Sequence, residues 1–417
     1  MEAIVLAGGF GTRLRPCVDN LPKPLAPIGG KPFLHYLLDY LYINGVHRAI
    51  ISTGFMAEAI ENATGSTYRG MVIDYCREET PLGTGGAIKK ALGMCRGEIA
   101  VAVNGDSFFD VDLFRMKEFH DASGCSISLA SKEVPSAEHS GFIKSEGGRL
   151  CGFQEKGVKA SGPINGGVYF INKSALDGIN EEKFSFEKQV LESGLCNIGV
   201  FESSGYFIDI GIPENYRKAE KEKQMLLSKS VRRAVFLDRD GTINRDPGHL
   251  HRREDFEFLP HAAEAIAEIK KKGCLAIVIT NQAGIAKGLY GHEDVNLLHK
   301  HIDSELSVSS HVITDGYYYC PHHPQAVIDE YRAECSCRKP QPGLILKAVS
   351  DFAEIGIQID LENSFMVGNK RSDILAGINA GVGTNILIGP DEPDAAEVAS
   401  AHYESLYGFS QNLKQVF

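Results

Sequence analysis

Three groups of side chains have types and spacings that could do chemistry. Asp238 and Asp240 stand two apart at the end of the apolar run Ala234–Leu237. If the backbone turns at Gly241, both carboxylates reach one phosphoryl group. Asp238 would then attack phosphorus, and Asp240 would protonate the leaving oxygen and later activate water. The second group opens the chain, where Leu6, Ala7, Gly8, Gly9, Gly11, Thr12 and Arg13 follow another apolar run. Glycines there let backbone N–H groups approach phosphate oxygens, Arg13 adds a fixed cation, and Lys23 is held between two prolines. Asp106 and Asp209 would share a Mg2+ ion with a triphosphate. The third group is a metal loop: the close pairs Cys320/His322 and Cys335/Cys337 match a structural Cys3His zinc site, with His323 as the alternative fourth ligand. Each residue alone is more ordinarily a cap, a turn or a solvated charge. Their order along one chain is what carries weight.

The elements that must position these groups are those of an α/β protein. The chain has 417 residues, 43% hydrophobic and 23% charged, enough for two or three domains with their own cores. A net charge of −11 makes a nucleic-acid coat a poor fit. There is no apolar run of about 18 residues to cross a membrane, no leader pattern, and the remaining cysteines are scattered. Those features place the expected protein in the cytoplasm, with no membrane partner. Apolar runs alternate with helical patterns in both halves, and Ala234–Leu237 reads as a second first strand. The expectation is therefore two Rossmann-like domains with mainly parallel sheets, residues 1–227 and 232–390. A linker near Ser228–Arg232 joins them, and a tail of little chemistry covers 391–417.

The run from Gly8 to Pro16, GGFGTRLRP, followed by Pro22-Lys23-Pro24, resembles the sugar-1-phosphate nucleotidyltransferases over roughly residues 1–225. The resemblance implies a nucleotide-diphospho-sugar transferase fold in which the turn Pro81–Gly86, with Gly83 and Thr84, lies against the nucleobase. Glu78 could accept the N1–H and N2–H2 donors of guanine. By the same resemblance Glu155 accepts sugar hydroxyls, Lys156 contacts the 1-phosphate, and Asn165 and Gly166 border the sugar. The implied reaction is attack of a sugar 1-phosphate on the α-phosphorus of an NTP. Alignment and charge stabilisation by Arg13, Lys23, Lys156 and Mg2+ would drive it.

After Asp238-Arg-Asp240 come Thr280-Asn281, Arg338-Lys339, Asn369 and Asp373, in an order that resembles the haloacid-dehalogenase-like phosphatases. Thr280 and Lys339 would hold phosphoryl oxygens, Asn281 would meet the substrate, and Asp238, Asp240 and Asn369 would hold Mg2+. Asn369 departs from the acidic residue usual there, and Asp373 is expected to compensate through a water. Neither gap between these motifs has room for a cap domain. The Cys-Pro-His-His…Cys-x-Cys-Arg-Lys-Pro loop resembles heptose 1,7-bisphosphate phosphatases and histidinol phosphatases, with the neighbouring Thr280-Asn-Gln-Ala-Gly nearer the former. Arg338 and Lys339 suit a second phosphate.

Together the resemblances imply a bifunctional enzyme on the way to GDP-D-glycero-α-D-manno-heptose, a precursor of bacterial surface glycans. It would remove the 7-phosphate of heptose 1,7-bisphosphate and then join heptose 1-phosphate to GMP from GTP. Two alternatives stay open: guanylylation of mannose 1-phosphate or another sugar, and a second domain that is histidinol-phosphatase-like or degenerate and regulatory. The expected cofactors are Mg2+ and a structural Zn2+. Expected partners are these small molecules and no nucleic acid; assembly into a homo-oligomer stays open.

Overall fold

A computed structural model describes residues 1–9, 14, 21–136, 141–154, 161–194, 196–390 and 393–414. The chain forms two compact units, Met1–Tyr68 with Ile73–Ser228, and Lys229–Val416 with Arg69–Val72.

The first unit is built on a ten-stranded sheet. In chain order its strands and a neighbouring ribbon are β1 (Glu2–Leu6), β2 (Arg48–Thr53), β3 (Thr67–Tyr68), β4 (Met71–Arg77), β5 (Ile99–Asn104), β6 (Ser107–Phe109), β7 (Ile127–Val134), β8 (Phe142–Glu146), β9 (Arg149–Gln154), β10 (Gly162–Asn172), β11 (Ile198–Glu202) and β12 (Phe207–Asp209). The sheet order is β8-β9-β11-β7-β10-β5-β1-β2-β4-β3, and β12 pairs with β6 in a separate ribbon. β1 lies between β2 and β5 and runs parallel to both. Its apolar residues Ala3, Ile4 and Val5 are fully buried, which is why a near-continuous apolar run marks it.

The expectation of a mainly parallel sheet needs correcting here. β10 runs antiparallel to both β5 and β7, and β9 antiparallel to β8 and β11. The cause is local. Gly147 and Gly148 both adopt positive φ between β8 and β9, which closes a two-residue hairpin and forces reversal of direction. Ile88, Ala91 and Leu92 of the helix Gly83–Met94 pack with Ile4, Ile50, Ala102 and Tyr169 in the core of this unit.

The second unit has strands β13 (Ser230–Arg232), β14 (Ala234–Leu237), β15 (Leu275–Asn281), β16 (Gly316–Cys320), β17 (Ile357–Ile359), β18 (Phe365–Gly368), β19 (Thr384–Ile388) and β20 (Ala401–Tyr403). Six of them form an all-parallel sheet ordered β16-β15-β14-β18-β19-β20. Two further expectations are corrected. Residues 230–232 are not a linker but a strand, β13, paired with β17. The stretch after 390 is not a tail: β20 extends the sheet, and Leu406, Phe409 and Leu413 enter the core beside Ile266 and Ile269. Those three apolar residues, at spacings of three and four around the helix Leu406–Asn412, are the signal for its buried face. Among the described residues, no helix is long and apolar enough to cross a membrane.

Candidate functional site

Each unit carries a cavity where parallel strands end, as open α/β sheets dictate. In the first unit the C-terminal ends of β1 and β5 deliver Leu6–Gly9 and Asn104–Asp106. With Lys23, Glu78, Gly83, Thr84 and Glu187 they line a space of about 310 Å3. Gly8 must be small, because a Cβ there would come within 2.7 Å of the Glu78 carboxylate. Glu78 is fixed from two sides: Ser52 Oγ donates to Oε1 at 3.0 Å and the Leu82 N–H donates to Oε2 at 3.0 Å. One wall of the cavity is therefore a pre-aimed carboxylate with spare lone pairs.

Lys23 Nζ meets Asp106 Oδ2 at 3.1 Å. The ribbon β6–β12 puts Asp209 opposite Ser107, next to Asp106, and the Ile210 N–H donates to the Asp106 carbonyl. A Cβ on Gly211 would lie 2.7 Å from Asp209 Oδ1 and 3.3 Å from Lys23 Nζ, so Lys23, Asp106 and Asp209 share one corner. Two carboxylates with a lysine between them are a donor set that fits a divalent cation and a phosphate chain. Gly11, Thr12, Arg13, Glu155 and Lys156 lie outside the described residues.

Some expected residues have other employment. Gly85 and Gly86 face Phe184 and Glu182 rather than the cavity, and their lack of a side chain is a packing requirement. Gly166 is likewise pressed against the Phe109 ring. Asn165 donates to Tyr169 Oη at 2.7 Å and accepts from the Gly167 N–H at 3.0 Å. A residue missed from sequence is Glu187, on the cavity wall, where Thr84 Oγ1 and Ser185 Oγ donate to its Oε2 at 2.7 and 2.8 Å. One glutamate in a stretch with Glu181, Glu182, Lys183 and Lys188 gave no signal.

In the second unit Asp238 follows β14, Thr280 is the last residue but one of β15, and Asn369 follows β18. Asp238, Asp240, Thr280, Asn281, Arg338, Lys339 and Asp373 line a space of about 350 Å3. Lys339 Nζ is 2.6 Å from Asp238 Oδ1 and 2.7 Å from Asp373 Oδ1. Burial first, then Asp373, pushes the Asp238 carboxyl up to about 7, against the pull of Lys339. Burial alone would lower Lys339, but the two carboxylates outweigh it and hold its pKa raised. Asp373 therefore acts directly on the lysine. The Asn281 amide is occupied too: it donates to the Lys339 carbonyl at 3.2 Å and accepts from the Lys339 N–H at 3.0 Å. That makes it a clamp on the lysine backbone rather than a free substrate contact.

Asn369 Oδ1 is buried and has no hydrogen-bond partner among the described residues. Its amide lies against Gly241, whose φ of +88° leaves no room for a side chain. An orphaned carbonyl oxygen behind two aspartates fits a Mg2+ ligand, neutral though it is.

Asp240 is held by donors on every side. Arg239 Nη2 contacts both its oxygens at 2.8 Å, Asn244 Nδ2 donates to Oδ1 at 3.0 Å, and Gln282 Nε2 donates to Oδ2 at 3.0 Å. Arg239 is wholly buried, and its Nη1 reaches His299 Nε2 at 3.3 Å. Burial and Arg239 push the His299 pKa down to about 3, which keeps the imidazole neutral. A charged residue directly after an apolar strand was the available sign that Arg239 is structural to the site.

The expected metal loop closes on itself. Cys320, His322, Cys335 and Cys337 offer ligand atoms that all lie within 4.8 Å of one another. The sulfurs are 3.2–3.5 Å apart, and His322 Nδ1 is 3.4 Å from Cys337 Sγ and 3.7 Å from Cys320 Sγ. Tetrahedral metal–sulfur bonds of about 2.3 Å would set sulfurs about 3.8 Å apart, so the cluster fits one ion. His323 turns its Nδ1 instead to the Gln325 N–H. Arg338 Nη1 binds the His322 carbonyl at 3.1 Å, tying the loop to the cavity.

Comparison with known proteins divides the chain the same way. Residues 2–224 match the nucleotidyl transferase family and residues 233–403 match the polynucleotide kinase 3 phosphatase family. A D-glycero-α-D-manno-heptose 1-phosphate guanylyltransferase of Aneurinibacillus thermoaerophilus is 48% identical over 227 residues, covering 54% of this chain and 99% of the relative. A D-glycero-β-D-manno-heptose-1,7-bisphosphate 7-phosphatase of Escherichia coli K12 is 42% identical over 192 residues, covering 45% of this chain and 97% of the relative. The crystal structure of HddC from Yersinia pseudotuberculosis superposes with a TM-score of 0.50 at 33% identity, covering 53% of this chain and 99% of that one. With almost the whole of each relative matched, the chain belongs to the nucleotidyl transferase family through its first half and to the phosphatase family of the E. coli protein through its second.

Proposed function

We propose that the protein is a bifunctional enzyme, a heptose 1,7-bisphosphate 7-phosphatase joined to a heptose 1-phosphate guanylyltransferase. The observation that carries this reading is that one chain holds near-complete relatives of both enzymes, and taking the 7-phosphate from the bisphosphate named for one leaves the heptose 1-phosphate named for the other, apart from its anomer. The functional domains are residues 1–227 and the whole of the chain from 232 onward.

In the phosphatase half, Asp238 attacks the 7-phosphate and the sugar oxygen leaves with the proton of Asp240. Water, deprotonated by Asp240, then cleaves the aspartyl phosphate. Lys339 and Thr280 hold the phosphoryl oxygens. Asp238, Asp240 and Asn369 would hold Mg2+, which supplies charge neutralisation when bound. Cys320, His322, Cys335 and Cys337 would hold structural zinc.

In the transferase half, an oxygen of heptose 1-phosphate attacks the α-phosphorus of GTP and pyrophosphate leaves. Lys23 lies where the phosphate chain would run, and Glu78 accepts the guanine N1–H and N2–H2 donors. Asp106 and Asp209 would hold Mg2+, whose charge offsets that of the phosphates.

Given heptose 1,7-bisphosphate, GTP and Mg2+, the protein should release one phosphate and one pyrophosphate per GDP-heptose. Asp238→Asn should abolish phosphate release and spare transfer to heptose 1-phosphate, and Asp106→Ala should do the reverse. Loss of both activities in either folded variant would refute two independent sites. The relatives differ in anomer, α for the transferase and β for the phosphatase. Consecutive steps in one chain require the α-bisphosphate to be the better phosphatase substrate. A clear preference for β would separate the two halves into different reaction sequences.

A further inference from the structure

Gln282 has no part in the chemistry described above, yet it stands at the centre of the phosphatase cavity. We infer that Gln282, anchored at its amide oxygen by Tyr290, is a positioning residue that ties the phosphoryl-holding Thr280 to the acid–base Asp240. This inference rests on the phosphatase reading.

Gln282 follows β15 and is 2% exposed. Its Nε2 donates to Thr280 Oγ1 at 2.9 Å and to Asp240 Oδ2 at 3.0 Å. Its Oε1 accepts from the Tyr290 hydroxyl at 2.8 Å. A side-chain amide can turn end for end, and the turned form would aim its oxygen at the Asp240 carboxylate. The Asp240 carboxylate, which can only accept, forbids that turn, and the Tyr290 hydroxyl anchors the oxygen end by donating to it. Burial raises the Tyr290 pKa to about 12, so the hydroxyl keeps its proton at neutral pH.

The tyrosine is itself gripped. Its ring lies so close to Gly284 that a Cβ there would overlap it, and His251 stacks on it at 4.8 Å and 18°. The backbone of Gln282 is fixed as well, since its N–H donates to the carbonyl of Cys320, a residue of the metal cluster, at 2.8 Å. Thus one amide takes its anchorage from the tyrosine and its position from the metal loop. It passes both to the carboxylate that must meet the leaving oxygen.

The consequence is specific to proton transfer. Asp240 activates water in the second step for every substrate. In the first step a misplaced Asp240 matters most when the leaving group is an alkoxide that needs a proton, and least when it departs unaided. The contrast is therefore read in kcat/KM, which stops at the aspartyl phosphate. Tyr290→Phe removes one oxygen and keeps the ring between Gly284 and His251, so the test does not depend on Gln282 variants folding. On heptose 1,7-bisphosphate the variant should lose about tenfold in kcat/KM with KM within about twofold. On p-nitrophenyl phosphate, whose leaving group needs no proton, kcat/KM should change less than about threefold. Gln282→Leu should show the same contrast more strongly, and Tyr290→Phe added to it should cost nothing further, because the tyrosine acts only through the amide. Equal losses on both substrates, a change confined to KM, or an additive double variant would overturn the inference. A parent protein that hydrolyses neither substrate would instead overturn the phosphatase reading.

Discussion

Lys339→Met keeps a side chain of similar length and removes one charge from between two carboxylates. The three side chains, Lys339, Asp238 and Asp373, are 2%, 6% and 1% exposed, so water cannot take the place of the lost cation. Breaking a buried ion pair in this way costs about 3–5 kcal/mol. For a unit of this size each kcal/mol lowers the melting temperature by about 2–4 °C, which gives a fall of about 6–20 °C. The loss should depend on pH in a definite direction. Asp238 already sits above its ordinary value through burial and Asp373, and removing Lys339 raises it further. A carboxyl whose folded pKa exceeds its unfolded pKa favours folding below the unfolded value and loses that contribution as pH rises through the folded one. The variant should therefore be nearest the parent in acid and furthest from it at neutral and higher pH.

Calorimetry of the full chain at about pH 5 and about pH 8, with magnesium omitted, reads this directly. Asp238→Asn introduced beside Lys339→Met should recover part of the loss, since one buried carboxylate is gone. A Lys339→Met protein that melts within about 2 °C of the parent at the higher pH would refute the reasoning, as would a larger loss at the lower pH.

Other expectations are simpler to state. The purified protein should carry about one zinc per chain, and Cys335→Ser should lower the content by elemental analysis and the melting temperature of the second unit. Asn369→Asp adds a charged ligand to the orphaned oxygen's position. The Mg2+ concentration for half-maximal phosphate release should fall about tenfold, and an unchanged value would remove Asn369 from the metal site. Glu187→Gln should raise the KM for sugar 1-phosphate several-fold, since its Oε1 is left over to accept a hydroxyl once Oε2 is taken by Thr84 and Ser185. A shift in the KM for GTP instead would assign Glu187 to the nucleotide.

Much of the molecule was legible because its chemistry clusters at strand ends. Runs such as Ala234–Leu237 and Ala276–Ile279 are buried on both faces, so they read as continuous apolar segments, and the residue after each is set at the end of the sheet. Asp238 and Thr280 could therefore be placed before any fold was known. The pairs in the metal loop were legible for a different reason: ligands two residues apart are held near each other by the chain itself. The partly antiparallel sheet of the first unit was not legible, because apolar runs do not record strand direction. Residues after 390 were passed over for want of chemistry, although their apolar spacing of three and four was present.

By itself the sequence determined which residue types are available and which lie near one another along the chain: the aspartate pair, the glycine loop and the two ligand pairs. Only the tertiary structure decided which distant groups share a hydrogen bond. It chose His322 over His323, turned Asn281 to the lysine backbone, paired Asp373 with Lys339, and left Asn369 Oδ1 without a partner among the described residues. Gln282, Tyr290 and Arg239 belong with these. The physical reason is that a buried polar atom must find its partner wherever the packed chain brings one. Local spacing fixes neighbours within a few residues, while partners forty or a hundred positions away are fixed by how helices and strands pack.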